Sequence, residues 1–160
     1  MAPSRRHFML GAGSAVALGS LPLNLNAQTR LQLHSGVRGL VVYREAQLQG
    51  RAFAAAMMAA GLATVTLGED PVWQWRTQLA ATVAGSKAPV YGLTDWSDYQ
   101  LMRGLCAELR RYPIVETRHC IGRSASAEWA VRRAQELLDG QPAPRDAPSG
   151  QLTFFTWVIS

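Results

Sequence analysis

From residue 39 to the end of the chain, short apolar runs alternate with longer segments of helical periodicity. Five runs have the length and the β-branched or aromatic content of strands, namely residues 40–43, 63–67, 88–93, 114–117 and 152–159. Four segments carry apolar residues three or four positions apart, as amphipathic helices do, namely residues 46–60, 71–85, 95–112 and 124–138. This alternation predicts right-handed βαβ units and an α/β domain.

Residues that start or stop helices stand at several of these boundaries. Gly61 follows the first helical segment in the position of a C-cap glycine. Asp70 precedes Pro71 as an acidic N-cap with proline at the first helical position. The helix that begins there places its apolar residues on one face: Val72, Trp75, Leu79 and Val83.

The predicted fold is a three-layer sandwich, a mainly parallel five-stranded sheet with helices on both faces. Its element count is typical of the flavodoxin-like topology, with strand order 2-1-3-4-5. The first strand is followed by residues 44–50, Arg-Glu-Ala-Gln-Leu-Gln-Gly, and not by a Gly-x-Gly-x-x-Gly turn, a P-loop or an FMN-binding loop. A Gly-x-Ser-x-Gly nucleophile elbow is also absent from the sequence. We therefore expect this topology with no cofactor.

In an open α/β sheet, ligands bind beyond the carboxyl ends of the strands where the strand order switches. With the order above, Arg44, Thr94 and Asp95 flank that crevice, and His119 follows the fourth strand nearby. These side chains offer a cation, a hydroxyl, a carboxylate and a titratable base. Each also has an ordinary alternative, because Thr94 or Asp95 can cap a helix and His119 can be a solvated loop residue.

Two tryptophans are candidates for contact with a partner protein. Trp73 falls off the apolar face of its helix, and Trp96 stands at the start of the third helix. An aromatic side chain exposed in this way is typical of an interface. The alternative is that both belong to the core.

The amino terminus has the parts of a secretory signal. Ser4, Arg5, Arg6 and Phe8 match the twin-arginine pattern Ser-Arg-Arg-x-Phe, and a Gly- and Ala-rich apolar stretch follows. Ala27 ends that stretch with a small residue suited to signal peptidase. A membrane anchor fits less well, because a spanning helix needs about 20 mostly apolar residues and this stretch is interrupted by Gly, Ser and Pro.

These features divide the chain into a signal peptide (residues 1–27), a tether (28–38) and one α/β domain (39–160). Removing the two arginines of the signal lowers the formal net charge from +5 to +3. The remaining arginines form no run or stripe, so nucleic acid is not an expected partner. With three histidines and no Cys-x-x-Cys pair, no dedicated metal site is expected.

An oxidising compartment would allow Cys106 and Cys120 to form a disulfide. Cys106 lies near the end of the third helix and Cys120 lies well along the strand that returns from it. From the rise per residue of a helix and a strand, the two thiols would miss each other by about 12 Å. That is beyond disulfide reach, so a free, buried Cys106 is expected.

Three segments carry a family resemblance: the signal, residues 40–43 leading into Arg-Ala-Phe-Ala-Ala-Ala at 51–56, and Phe-Thr-Trp-Val-Ile at 155–159. Together they resemble a group of small twin-arginine-exported proteins of proteobacteria with a flavodoxin-like or Rossmann-like α/β domain. The resemblance covers most of the mature chain. Its motifs are structural, and it implies neither a substrate nor catalytic residues.

Two functional hypotheses follow. The first is a periplasmic, non-catalytic accessory or binding subunit that uses the twin-arginine translocase for export and then associates with a larger periplasmic protein. The second is a small periplasmic enzyme or small-molecule binder with its site at the carboxyl ends of strands 1, 3 and 4. In neither case is a stable membrane anchor expected once the signal is cleaved.

Overall fold

The computed structural model describes residues 38–122, 125–141 and 152–160. The signal peptide and nearly all of the predicted tether lie outside these residues. The described elements follow one another in the order β1 (Leu40–Tyr43), α1 (Leu48–Ala59), β2 (Ala63–Thr66), α2 (Pro71–Gln74), a π-helical turn (Trp75–Leu79), α3 (Ala80–Gly85), β3 (Val90–Thr94), α4 (Trp96–Glu108), β4 (Pro113–Ile121), α5 (Ala127–Leu138) and β5 (Leu152–Ile159).

The five strands form one mixed sheet in the order β2-β1-β3-β5-β4. β1 pairs in parallel with β2 and β3, whereas β5 runs antiparallel to both β3 and β4. The α/β class is therefore correct, but the expected mainly parallel sheet with strand order 2-1-3-4-5 is wrong. The physical reason is burial. The apolar β5 has six buried residues and takes an interior position, while β4 alternates exposed and covered residues and takes the edge.

Helices cover both faces of this sheet. On one face, α2, α3 and α4 pack over a core that contains Trp75, Tyr99 and Trp157. On the other face, α1 and α5 pack over Val41 and Phe53 and their neighbours. The sheet thus buries side chains on both of its faces, and its functional groups are left at the strand ends and along the edges.

Helix boundaries agree with the residues that were expected to set them. Asp70 accepts a hydrogen bond from the Trp73 backbone N–H (2.9 Å), with Pro71 at the first helical position. Gly61, just beyond α1, has φ of +88°, a conformation that suits glycine because it has no Cβ. The helix after Asp70 is interrupted by the π-helical turn, and its residue Val72 lies at the surface although it was expected in the core.

β4 is longer than the sequence predicted. The strand pattern predicted residues 114–117, although the cysteine geometry took the strand as far as Cys120. The strand extends to Ile121 and therefore includes His119 as well. Cys106 is buried in α4, Cys120 is half-buried, and both thiols are free. Burial raises the pKa of the Cys106 thiol to about 11.

Candidate functional site

The carboxyl ends of β1, β2 and β3 lie at the same end of the sheet. The crevice predicted from the sequence is located there, between the neighbouring strands β1 and β3, where the strand order switches. Arg44 follows β1 directly and reaches across this crevice to Asp98 in the first turn of α4. Its Nε donates to Asp98 Oδ2 and its Nη2 donates to Oδ1, both at 2.6 Å. Its Nη1 donates to the carbonyl oxygen of Gly68, beyond β2, at 2.7 Å. One guanidinium therefore links the segments that follow β1, β2 and β3.

This ion pair is largely shielded from water. The Asp98 side chain is 5% exposed and that of Arg44 is 28% exposed. The hydrogen bonds that Arg44 donates to Asp98 are the main cause that raises the pKa of Arg44, and partial desolvation opposes them. A bidentate arginine–carboxylate pair is strong and directional, so most of the charge here is neutralised within the protein itself.

Asp95 acts as the N-cap of α4. Its Oδ1 accepts hydrogen bonds from the Asp98 backbone N–H (2.9 Å) and from Ser97 Oγ (2.8 Å). Its Oδ2 accepts one from Gln47 Nε2 at 3.2 Å. The capping alternative considered for Asp95 is thus what the structure contains. The other atom of the Gln47 amide, Oε1, is buried and has no hydrogen-bond partner among the described residues.

Thr94 is fully buried and faces the core, not the crevice. Its Oγ1 accepts a hydrogen bond from the Trp157 indole N–H at 3.0 Å and donates to the Asp95 carbonyl oxygen at 3.2 Å. The hydroxyl that the sequence suggested for a ligand therefore positions a core tryptophan.

His119 is not part of this crevice. It lies within β4, fully buried, with Nε2 2.7 Å from Thr156 Oγ1 and with its ring nearly perpendicular to that of Trp129. The expectation of a solvent-facing loop after the fourth strand is wrong, because β4 continues past this residue to pair with β5. Moreover, β5 separates β4 from β3, so the end of β4 does not adjoin the crevice.

Exposed apolar side chains lie in the first turns of the helices that follow β1, β2 and β3. Trp73 is 58% exposed and Trp96 is 52% exposed, in the first turns of α2 and α4. Two further exposed residues, Leu48 and Val72, lie in the first turns of α1 and α2. We call these four residues the carboxyl-end rim. The Trp96 ring also packs on Phe155, with 4.9 Å between ring centroids, so one side of the indole is held while the rest faces solvent.

Asp98 and Gln47 were not predicted from the sequence as members of this site. A signal for Asp98 was present, because an acid three residues after an N-cap is typical of the start of a helix, and here it faces a cation that follows the adjacent strand. Gln47 carried no comparable signal. Its role depends on how the loop after β1 folds back toward α4.

Elsewhere on the molecule, an open groove of about 490 Å³ lies beside β4, lined mainly by Tyr91, Val115, Leu137 and Val158. It contains none of the sequence-predicted ligand residues. Within the described ranges, no group of three or more His, Cys, Asp or Glu side chains is arranged to hold a metal ion.

No known family model matches the chain, and no curated protein or solved structure matches it with significance. Among the helices of the described residues, none has the length and apolar character needed to cross a membrane.

Proposed function

We propose that this chain is an exported, non-catalytic accessory or binding protein that contacts its partner through the carboxyl-end rim. Export is supported by the twin-arginine motif at Ser4, Arg5, Arg6 and Phe8. That route carries folded cargo, which suits a subunit that associates with a larger protein in the periplasm.

The observation that carries the binding role is the contrast between the crevice and its rim. The charged groups of the crevice bond to one another, so they are poorly placed to attack or protonate a substrate. The rim keeps two tryptophans more than half exposed. Tryptophan is enriched among the residues that contribute most to protein–protein affinity, and Trp96 is already held by Phe155, which lowers the entropic cost of binding.

Export is tested by changing both Arg5 and Arg6 to Lys and following the protein in cell fractions. The twin-arginine hypothesis expects the unaltered chain in the periplasm and the double variant in the cytoplasm. Equal periplasmic amounts of both forms would show that another route is used.

Partner binding is tested with the protein isolated gently from native periplasm. We expect a co-purifying protein that is retained with the unaltered chain and lost with Trp73→Ser. Met58→Ser is the matched control, because Met58 is equally exposed but lies in the last turns of α1, at the opposite end of the molecule. Isolation of a bare chain, or equal loss of the partner with both variants, would contradict the proposal.

One observation favours a second function, a small-molecule binder at the crevice. In the part of the chain that the structure describes, the buried Gln47 Oε1 has no donor, and Arg44 uses three of its five N–H groups. A ligand with a hydroxyl and an anionic group would satisfy both. In that case Gln47→Leu abolishes ligand binding, because it removes the amide that would contact the ligand. A ligand whose affinity is unchanged by Gln47→Leu would exclude this site.

A further inference from the structure

β4 leaves a long edge of the sheet without a neighbour among the residues described. It contains nine residues and pairs with β5 on one side only. The opposite edge is β2, which has four residues. A long edge strand presents a row of unpaired backbone N–H and C=O groups, and proteins usually shorten, charge or cover such an edge. β2 is short, so it exposes few such groups. β4 is long, and a short length therefore cannot account for how its free backbone groups are protected.

The side chains along β4 have a self-complementary arrangement. Glu116 and Arg118 are both exposed, on the same face of the sheet, and Thr117 lies between them. When two antiparallel strands are related by a two-fold axis, the residue on the axis faces itself and its two neighbours face each other. With the axis at Thr117, each glutamate faces an arginine.

The first residues of β4 are unsuited to regular pairing with another strand, which leaves the segment around Thr117 for it. Pro113 has no N–H to donate, and the register shifts between Pro113 and Val115, which leaves Ile114 as a bulge. Ile114 is 66% exposed. The regular part of the free edge therefore starts at Val115, and the Glu116–Arg118 pattern lies inside it.

Glu116 is held in position from within the subunit. The Tyr99 hydroxyl, from α4, donates to Glu116 Oε2 at 2.5 Å. Glu116 is nevertheless an exposed residue of the edge strand, so its carboxylate can also accept from a donor outside the subunit. Arg118, two residues further along the strand, is exposed on the same face of the sheet, so a donor and an acceptor both stand on the free edge strand.

We propose that two copies of this chain associate through β4, with the two β4 strands antiparallel and Thr117 on the two-fold axis. Glu116 of each subunit then bonds to Arg118 of the other. This joins the two sheets into one of ten strands. Opposite charges and Thr–Thr pairs across antiparallel strands are both stabilising, and a two-fold interface of this kind is closed. The carboxyl-end rim takes no part in the contact.

The test is a charge exchange, with the mass of the exported protein measured by light scattering after size-exclusion chromatography. We expect twice the chain mass for the unaltered protein and the single chain mass for Arg118→Glu, which places two glutamates opposite each other. Glu116→Arg is expected to be monomeric for the corresponding reason. The double variant Glu116→Arg with Arg118→Glu restores each opposite-charge pair, so it is expected to be a dimer again.

The double variant separates this proposal from other occupants of the edge. If residues 28–37 or an unrelated protein covered β4, reversing both charges would not restore an association that a single reversal had abolished. A monomeric unaltered protein, a dimeric Arg118→Glu variant or a monomeric double variant each overturns the proposal. Circular dichroism of every variant establishes that it is folded, and Tyr99→Phe controls for the loss of the Tyr99–Glu116 bond.

A second measurement does not depend on changing charges. In a Cys120→Ser background, Thr117→Cys is expected to form a covalent dimer under mild oxidation, since this position faces its own copy. Glu108→Cys, an exposed position on α4, is the matched control and is expected to stay monomeric. Failure of Thr117→Cys to cross-link, or equal cross-linking at both positions, overturns the pairing.

Discussion

Gly92 lies at the centre of the sheet, in β3, with Val42 of β1 on one side and Trp157 of β5 on the other. A Cβ added at Gly92 would lie 2.1 Å from Trp157 Cζ2 and 2.3 Å from Cε2. These distances are far inside van der Waals contact. The indole cannot easily move away, because its N–H donates to Thr94 and its ring packs near Tyr99. Gly92→Ala must therefore displace the tryptophan or the strand.

The expected loss of stability can be set from these contacts. Overpacking of a filled core costs about 1–3 kcal/mol. Breaking the Trp157–Thr94 hydrogen bond adds about 1 kcal/mol. The lower backbone entropy of an unfolded chain with alanine offsets about 0.5–1 kcal/mol. Together these contributions amount to about 1–3.5 kcal/mol, so we expect Gly92→Ala to lower the free energy of unfolding by that amount, a substantial part of the 5–15 kcal/mol typical of a domain.

Urea denaturation of the purified protein measures this loss. Gly104→Ala is the matched control, since Gly104 is an exposed residue of α4 with nothing within 4 Å of the added Cβ. It is expected to stabilise the protein by about 0.5–1 kcal/mol. Trp157→Phe shortens the side chain and removes Cζ2, the atom nearest the added Cβ, so Gly92→Ala should cost less in that background. A Gly92→Ala variant as stable as the unaltered protein, or an equal cost in both backgrounds, would refute the reasoning.

Two other outcomes are expected from the contacts described above. Arg44→Met leaves the buried Asp98 carboxylate without its cation, so we expect the free energy of unfolding to fall by about 2–3 kcal/mol. The loss is expected to be smaller in the double variant Arg44→Met with Asp98→Leu. Equal losses for the two variants in urea denaturation would contradict this. Burial, followed by the hydrogen bond to Glu116, raises the pKa of Tyr99 from 10 to about 12. The folded state therefore holds the Tyr99 proton more tightly than the unfolded state does. This difference stabilises the folded state fully below pH 10, and we expect that stabilisation to be lost as the pH rises toward 12. Tyr99→Phe should show a smaller fall in unfolding free energy over this range, and an identical fall would exclude the assignment.

Local structure was largely predictable from the sequence because short-range chemistry determines it. The caps at Asp70 and Asp95 and the glycine at position 61 stand where helices begin and end. The strand order was not predictable in the same way, since it depends on which strand is covered on both of its faces and therefore takes an interior position in the sheet. A signal was nevertheless present: Glu116 and Arg118 mark β4 as partly solvent-exposed, whereas residues 154–159 of β5 are continuously buried.

His119 illustrates how tertiary pairing overrides local pattern. Arg118 and His119 end the apolar run, so the sequence favoured a loop there. In the fold, β5 supplies the opposite strand through Ile121, and Thr156 supplies a hydrogen-bonding partner for the imidazole. A polar residue can lie in a buried strand when a residue distant in sequence satisfies it, and a single sequence does not identify that residue.

The insertion of β5 between β3 and β4 also links the core to the proposed binding surface. Trp157 fills the space that Gly92 leaves open and donates its indole N–H to Thr94. The next residue, Asp95, caps α4 and positions Trp96, whose ring packs on Phe155 of the same strand β5. The rim at this point is therefore held by buried contacts, and its exposed tryptophan is presented on a preorganised surface. Such a surface suits the docking of a preformed partner better than a site that closes over a substrate, because closure would have to break the core contacts that hold it.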